Sequence, residues 1–323
     1  MLSLPDFKYK QLIVYNAIES DKQRLKFKLD NIVVENEDGK IVMQHSMHRI
    51  FSLFVIGPMS FTNYAVKKAK QFGFPVIMMS QNLHVDAYFN NKADGNFLLR
   101  KKQYQYSEDF NLEVAKKLIR QKINNQVRLL KALRYRSEEL NQSIADIEEI
   151  NPDLALSSSE LMGFEGHASK LFFEAYFKPM DWYRREPRCK RDIYNLLLDI
   201  GYTYLFNFIE AMLGLYGFDT YCGVLHKFFY QRKSLACDLV EPFRCIIDQR
   251  LRKAYNLKQI HEDDFFVKQG AYCLQYKKQS HYAGLFLKDI LEHKEEIFLY
   301  IQRYYRWFMD PENINRKFPV FEV

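Results

Sequence analysis

Two carboxylates and a histidine in the second half of the chain have the types and spacing of a metal-binding site. Asp238 and Glu241 stand three residues apart in a segment that predicts a helix, so both side chains project from one face. His226 precedes them across a short basic loop. Imidazole and carboxylate ligands together suit Mg²⁺ or Mn²⁺ better than a closed zinc site. Such an ion keeps water ligands and accepts a phosphate oxygen, which fits phosphodiester chemistry.

A third acid, Glu165, lies on the apolar face of another predicted helix, between Leu161 and Phe172. A carboxylate in such a place is costly unless it is paired or bound to a metal. Gly166 follows it, and a glycine in a helix interior costs about 1 kcal/mol relative to alanine but lets a backbone or a phosphate approach closely. From the residues alone, ordinary alternatives stay open: Glu165 pairs with an arginine between helices, His226 is a core histidine, and the later acids lie on a solvated face.

Basic residues stand where a nucleic-acid backbone would need neutralising. The chain carries a net charge of +7, which is compatible with nucleic acid without requiring it. On the helix predicted from Asn111, one stripe contains Lys117, Arg120, Asn124, Arg128 and Lys131. A second basic group, between the histidine and the two later acids, contains Lys227, Arg232 and Lys233. The stripe fits a tracked phosphate backbone, and it equally fits an ordinary solvated helix face.

The elements that position these residues divide the chain into a strand-rich part and a helical part. Residues 1–88 predict a small β-rich domain, with strands at 31–35, 40–43, 50–56 and 75–79. The polar, turn-rich segment 89–100 predicts a linker, and 101–323 predicts an all-α catalytic domain. Its helices are expected over 111–136, from Ser157, over 192–216 and over 234–255. The fold class expected is therefore α+β and mostly helical.

The composition also bears on the compartment. The five cysteines include no C-x-x-C pair, so reduced thiols and a cytoplasmic protein are expected. The start of the chain lacks the basic and apolar regions of a signal peptide. The most apolar segment, 193–218, is interrupted by Asp199, Asn207 and Glu210, which predicts a buried core helix instead of a membrane span.

The order and spacing of the candidate residues resemble the CRISPR-associated integrase family, CRISPR-associated protein one, over nearly the whole chain. The residues that carry the resemblance are Glu165–Gly166, Ala168, Phe172–Phe173, Asp219, Leu225–His226, Ser234–Ala236, Asp238–Leu239, Glu241 and Phe243–Arg244. Thr220, the loop 231–233 and Cys245 depart from the family pattern without removing a ligand, and they leave the subtype open.

The resemblance implies a site and a reaction. Glu165, His226 and Glu241 would bind one Mg²⁺ or Mn²⁺, with Asp238 as an accessory acid. The implied reaction is transesterification, in which the 3′-hydroxyl of spacer DNA attacks a phosphodiester in the repeat array. Whether His226 ligates the ion or carries a proton stays open.

The resemblance also implies partners. These are double-stranded DNA, as spacer precursor and repeat array, a small ferredoxin-like CRISPR-associated companion, and a second copy of the chain that dimerises through the N-terminal strands. No membrane is expected, and the compartment implied is the prokaryotic cytoplasm. Three alternatives are a metal-dependent nuclease acting on branched DNA outside CRISPR, a related mobile-element integrase, and a non-catalytic nucleic-acid scaffold.

Overall fold

The computed structural model describes residues 10–17, 23–60, 62–80, 85–89, 95–180, 182–226 and 231–323. They form two compact units. The first contains the chain up to Leu99 together with Ala211–Phe218, and the second contains Arg100–Glu210 and Asp219–Val323. The candidate residues Glu165, His226, Asp238 and Glu241 all lie in the second unit.

Two sheets form the strand-rich part of the first unit. The first sheet has the order β1-β5-β6-β7, with strands Gln11–Asn16, Ile50–Ile56, Val76–Met79 and Val85–Phe89. In it β1 and β6 run parallel to β5, and β7 runs antiparallel to β6. The second sheet is antiparallel with the order β2-β3-β4, formed by Arg24–Lys28, Asn31–Glu35 and Ile41–Ser46.

Local sequence explains these strands. β5 is an apolar run that is buried along its whole length, as expected for a strand between two parallel neighbours. The β3–β4 turn ends at Gly39, whose φ of 73° is a conformation that favours glycine. Helix α1 (Asn63–Phe72) is capped by Thr62, whose Oγ1 accepts a hydrogen bond from the amide of Ala65, and it ends at Gly73. The strands predicted in this region are confirmed.

Helices dominate the second unit. After α1, the helices in chain order are α2 (Phe97–Gln105), α3 (Glu108–Lys131), α4 (Glu138–Glu149), α5 (Ser158–Tyr176), α6 (Ile193–Tyr216), α7 (Ser234–Val240), α8 (Arg244–Asn256), α9 (Gln279–Glu292) and α10 (Lys294–Met309). The predicted fold class, a small β-rich part followed by a larger helical part, is confirmed.

The helical unit is not purely α. A hairpin of β8 (Phe265–Lys268) and β9 (Ala271–Leu274) interrupts it. The turn residues Gln269 and Gly270 both have positive φ, as a two-residue hairpin turn requires. Strands of four residues are too short for alternation to reveal them, so the sequence pattern predicted only helices here.

Helix α3 is the central element of the second unit. It begins where Ser107 Oγ accepts a hydrogen bond from the amide of Phe110. It packs against α4, α5, α8 and the turn that follows α7. Because it has neighbours on several sides, the polar residues Gln121, Lys122 and Asn125 are buried along with its apolar ones. The predicted basic stripe lies on the open face of this helix, where Arg120, Asn124 and Lys131 are exposed and Lys117 and Arg128 are half-buried.

Helix α6 is long and apolar enough to cross a bilayer, and it is the single such helix in the part of the chain that the structure describes. Within the fold, 78% of its apolar window is buried. This burial is the pattern of a core helix, as the sequence predicts.

Candidate active site

Pro242 breaks the helix that was predicted over 234–255. Helix α7 ends at Val240, a 3₁₀ turn covers Glu241–Phe243, and α8 begins at Arg244. Proline lacks an amide hydrogen and its ring clashes with the preceding turn of a helix. Val240 and Glu241 nevertheless keep right-handed helical backbone angles, and the amide of Glu241 donates to the carbonyl of Asp238, so the helical turn that joins the two acids is intact. Both are buried, and each carboxylate has its own partners.

Glu241 is a buried carboxylate between two cations. Its Oε2 lies 2.6 Å from Lys122 Nζ and 3.0 Å from Arg244 Nε. Burial alone would raise the pKa of Glu241, but Arg244 and Lys122 outweigh it and hold the pKa at about 2. Glu241 is therefore ionised at neutral pH although its side chain is only 6% exposed.

Lys122 joins Glu241 to the second predicted ligand. Its ammonium also contacts Glu165 Oε1, which accepts a 2.9 Å hydrogen bond from Ser169 Oγ. Burial would lower the pKa of Lys122, but the carboxylates of Glu165 and Glu241 raise it above its ordinary value. The structure thus brings Glu165 and Glu241 together on one positively charged atom. The partner of Glu165 between the helices is a lysine, not the arginine considered above.

The sequence analysis missed Lys122 because this residue lies outside the basic stripe that was predicted on α3. A signal was present. Lys122, Asn125 and Gln126 follow a helical spacing, and Leu118 and Leu129 flank them. Such a polar group within an apolar face indicates buried polar residues with specific partners.

Asp238 organises the backbone around His226. Its Oδ2 accepts hydrogen bonds from the amides of Val224 (2.6 Å) and Leu225 (3.1 Å). Its Oδ1 accepts from the amide of His226 at 3.1 Å and lies 2.5 Å from His226 Nδ1. This carboxylate is fully buried. Asp238 therefore fixes the orientation of the imidazole through Nδ1, and Nε2 is the ring nitrogen that does not contact Asp238. This contact is the physical form that the accessory role predicted for Asp238 would take.

The three predicted ligands and the accessory Asp238 form two pairs in the structure. Glu165 and Glu241 meet on Lys122, and His226 meets Asp238. As the side chains stand, no three His, Cys, Asp or Glu side chains among the described residues are arranged to hold one ion. Two like-charged carboxylates converge only around positive charge, and the ammonium provides it here.

The donor set nevertheless fits a hard divalent cation. Two carboxylates already converge on one cationic position, and an imidazole oriented by a further carboxylate lies near enough to lower the pKa of Glu241. The three-ligand site of Glu165, His226 and Glu241 stays a prediction.

The family model described as CRISPR associated protein Cas1 matches residues 17–288. The chain belongs to the Cas1 family. The resemblance in the sequence is thereby confirmed. Its curated relatives include "CRISPR-associated endonuclease Cas1 1" of Thermodesulfovibrio yellowstonii, 32% identical over 240 residues, which cover 69% of this chain and 74% of the relative. "CRISPR-associated protein Cas1 3" of Methanobrevibacter ruminantium is 27% identical over 271 residues, covering 78% and 81%.

Solved structures share the fold. A Cas1 protein from Thermotoga maritima superposes with a TM-score of 0.76 at 19% identity, covering 93% of this chain and 97% of that one. A casposase bound to its integration product gives a TM-score of 0.76 at 18% identity, covering 97% and 94%. A chain of a Cas6-RT-Cas1–Cas2 complex gives 0.80 at 20% identity, covering 96% of this chain and 36% of that one.

The cations predicted to bind DNA are largely engaged within this Cas1-family chain. Four pair with acids of neighbouring elements: Arg120 with Asp153, Arg128 with Glu322, Lys131 with Glu148 and Lys233 with Glu210. A phosphate bound at these positions would compete with an acid for the cation. Lys117 is half-buried on α3, Arg232 follows the loop, and Lys227 lies outside the described residues. DNA contact at these positions stays a prediction.

A second buried network lies behind Glu241 in the Cas1-family site. The Arg244 guanidinium lies over the Tyr202 ring, 4.5 Å from its centroid, and Tyr202 OH donates a hydrogen bond to Asp248. Burial raises the pKa of Asp248 to about 6, although Tyr202 and Arg244 act to lower it. Asp248 therefore titrates near neutral pH, whereas Glu241 does not.

This difference predicts a pH-dependent contribution of Asp248 to stability. A carboxyl whose folded pKa is raised from 3.8 to about 6 stabilises the fold most below pH 3.8, and that contribution falls as pH rises through 6. In Asp248→Asn, which keeps an acceptor for Tyr202, the free energy of unfolding relative to wild type should rise by about 2–3 kcal/mol between pH 4 and pH 7. Urea denaturation at several pH values measures this, and a flat difference would contradict the raised pKa.

The segment 319–323 packs behind the Glu241 turn. Asn125 Nδ2 donates to the carbonyls of Pro242 (3.0 Å) and Phe321 (3.1 Å), so it ties this segment and the turn to α3. The Phe321 amide donates to Gln121 Oε1 at 3.1 Å. The Phe321 ring lies 4.6 Å from that of Phe243, centroid to centroid. The turn that carries Glu241 is thus held by both polar and apolar contacts.

Removing the Phe321 ring should destabilise the second unit. Phe321→Ala leaves a cavity against Phe243, and we expect it to lower the free energy of unfolding by about 3 kcal/mol. The neighbouring Val320 is 59% exposed, so Val320→Ala is a matched control with little expected effect. Urea denaturation compares the two variants, and equal stability would show that the segment does not support the turn.

Proposed function

We propose that this chain is a divalent-metal-dependent DNA integrase and endonuclease of CRISPR adaptation, which joins the 3′-OH ends of spacer DNA to the repeat array by transesterification. The observation that carries the proposal is the convergence of the Glu165 and Glu241 carboxylates on one cationic position, beside an imidazole that Asp238 orients. Membership of the Cas1 family supports it, as do relatives named endonucleases and a fold shared with a casposase bound to an integration product.

Glu165, Glu241 and His226 would hold Mg²⁺ or Mn²⁺, which when bound polarises the phosphate and stabilises the leaving oxygen. The other residues hold the imidazole in position and supply positive charge for the phosphodiester. Asp238 holds His226 through Nδ1 and three backbone amides. Lys122 and Arg244 place positive charge beside Glu241, where a phosphodiester would bring negative charge.

The reaction is an exchange of phosphate esters. The oxygen of the 3′-hydroxyl forms a new bond to phosphorus while the bond from phosphorus to a 3′-oxygen of the repeat breaks. The hydroxyl proton leaves the attacking oxygen, and the departing 3′-oxygen takes up a proton. His226 is either a ligand or the group that carries the proton.

The partners proposed are duplex DNA, a small ferredoxin-like companion and a second copy of this chain. One structural relative is part of an assembly whose name includes Cas2, which supports a companion of that kind. On edge strand β4, the side chains of Ile41, Val42 and Met43 are exposed, which favours pairing through the first unit. The compartment proposed is the prokaryotic cytoplasm.

A strand-transfer assay tests the function. A short duplex with 3′-OH ends is incubated with a supercoiled plasmid that carries a repeat array, the companion, and Mg²⁺ or Mn²⁺. We expect joined product with the ion, none with a chelator, and none from a duplex with 3′-dideoxy ends. The melting temperature should change little with the chelator, since the ion is catalytic and not structural. Joining in the presence of the chelator would contradict the proposal.

A nuclease acting on branched DNA is the second candidate, because relatives carry the name endonuclease. The same site would then activate water in place of a 3′-hydroxyl. Cleavage of a branched duplex without any joined plasmid product, in the presence of the companion, would favour this candidate over the integrase.

A further inference from the structure

The cation that Glu165 and Glu241 share in this structure belongs to the chain itself. Lys122 Nζ contacts Glu165 Oε1 and lies 2.6 Å from Glu241 Oε2, and the lysine side chain is 9% exposed. An enclosed ammonium is stable only where charged partners replace its hydration, and the two carboxylates are these partners. A metal ion held by both carboxylates would require the same oxygens.

The four charged groups in direct contact at this point balance without a further ion. Glu165 and Glu241 carry two negative charges, and Lys122 and Arg244 carry two positive charges. Adding a divalent cation leaves an excess of two positive charges unless a cation withdraws or an anion arrives. Arg244 is held by its stacking on Tyr202. Lys122 ends in a compact ammonium on a flexible stem, so it is the cation that can withdraw.

We propose that Lys122 is an exchangeable internal cation, which holds the Glu165 and Glu241 carboxylates together and gives way when a divalent ion binds them. Lys122 thereby weakens the affinity of the site for the ion. It also keeps two like-charged carboxylates in place before the ion arrives, and it leaves an ammonium beside the position of an incoming phosphate. The inference rests on the proposed function.

Removing the ammonium should tighten metal binding. Lys122→Met keeps the aliphatic stem and lacks the charge. Mn²⁺ binding to the full chain without DNA is followed by electron paramagnetic resonance, and we expect the dissociation constant to fall at least tenfold relative to wild type. Lys116→Met is the matched control, because Lys116 lies on the same helix, is largely buried, and pairs with Glu113. The control should bind Mn²⁺ as wild type does.

Stability gives a second readout. Without added ion, Lys122→Met should melt at a lower temperature than wild type, because its two carboxylates lack their cation. Mn²⁺ should raise the melting temperature of this variant more than that of wild type. If the variant does not fold without the ion, folding that is restored by Mn²⁺ supports the proposal, and failure to fold with Mn²⁺ present overturns it.

The wild-type chain provides an independent measurement. Reductive methylation, followed by mass spectrometry, should modify Lys122 slowly without ion and faster with Mn²⁺. The methylation rate of Lys116 should be the same with and without Mn²⁺. Equal methylation of Lys122 with and without Mn²⁺, or equal Mn²⁺ affinity in wild type and Lys122→Met, would overturn the proposed exchange. Neither result would contradict the proposed strand-transfer function. Absence of Mn²⁺ binding in both proteins would overturn the exchange and the metal dependence together.

Discussion

Replacing Glu241 by glutamine is expected to reduce strand transfer on the order of a thousandfold. The substitution preserves shape and removes the ionised oxygen on which Lys122 and Arg244 converge. If Glu241 is a metal ligand, several kcal/mol of transition-state stabilisation are lost, and each 1.36 kcal/mol corresponds to about a tenfold change in rate. The measurement is the rate of joining of a 3′-OH duplex to a repeat plasmid, together with DNA binding by the same variant.

Stability has to be separated from chemistry in this experiment. Glu241→Gln leaves the Arg244 charge without its carboxylate, which should lower the free energy of unfolding by about 3 kcal/mol. The assay therefore runs well below the melting temperature of the variant. Glu139→Gln is the control, since Glu139 pairs with Lys178 on the surface and should be close to neutral. Normal joining by folded Glu241→Gln would show that Glu241 is not needed for the reaction.

Replacing Asp238 by asparagine should damage both the fold around His226 and the activity. Asparagine has one side-chain oxygen, which cannot accept all the hydrogen bonds that the amides of Val224, Leu225 and His226 donate. Its NH₂ group would replace the other carboxylate oxygen and point a donor at a donor. Gly223 leaves no room for adjustment, because a Cβ there would lie 2.7 Å from Asp238 Oδ2. We expect a loss of about 3 kcal/mol in stability and of about 100-fold in metal-dependent joining.

A double-mutant cycle distinguishes positioning from general destabilisation. If Asp238 acts on catalysis through His226, then Asp238→Asn should have little further effect on joining in a His226→Ala background, while its effect on urea denaturation persists. Asp153→Asn, at a half-exposed surface pair with Arg120, serves as the control. Full additivity of the two activity losses would show that Asp238 does not work through the imidazole.

Local patterns were sufficient where neighbours in sequence decide the structure. Strand β5 follows from an apolar run that ends at Gly57, and the β3–β4 turn follows from the residues that lead to Gly39. Helix α5 begins where Ser157 Oγ accepts from the amide of Glu160, as its spacing predicts. In these places the backbone conformation depends on steric and hydrogen-bonding preferences within a few residues.

Two local signals in the sequence indicated the correct structure, but stronger patterns around them predicted something else. Pro242 marks a helix break, yet the long amphipathic pattern around it favoured one helix over 234–255. Gln269–Gly270 marks a hairpin turn, yet the strands beside it are four residues long. The first error matters for the site, because Glu241 opens the 3₁₀ turn that separates the two helices.

The sequence by itself determined the family of this protein and its division into strand-rich and helical parts, and it predicted Glu165, His226, Asp238 and Glu241 as the site residues. Only the tertiary structure showed that Lys122 joins Glu165 and Glu241, which lie 43 and 119 residues away in sequence. It also showed that surface acids occupy much of the predicted basic stripe. The physical reason is that the protonation state and the partners of a charged group depend on the groups that pack against it. Helix packing brings together residues that are far apart in sequence, and their spacing in the chain does not predict the contact.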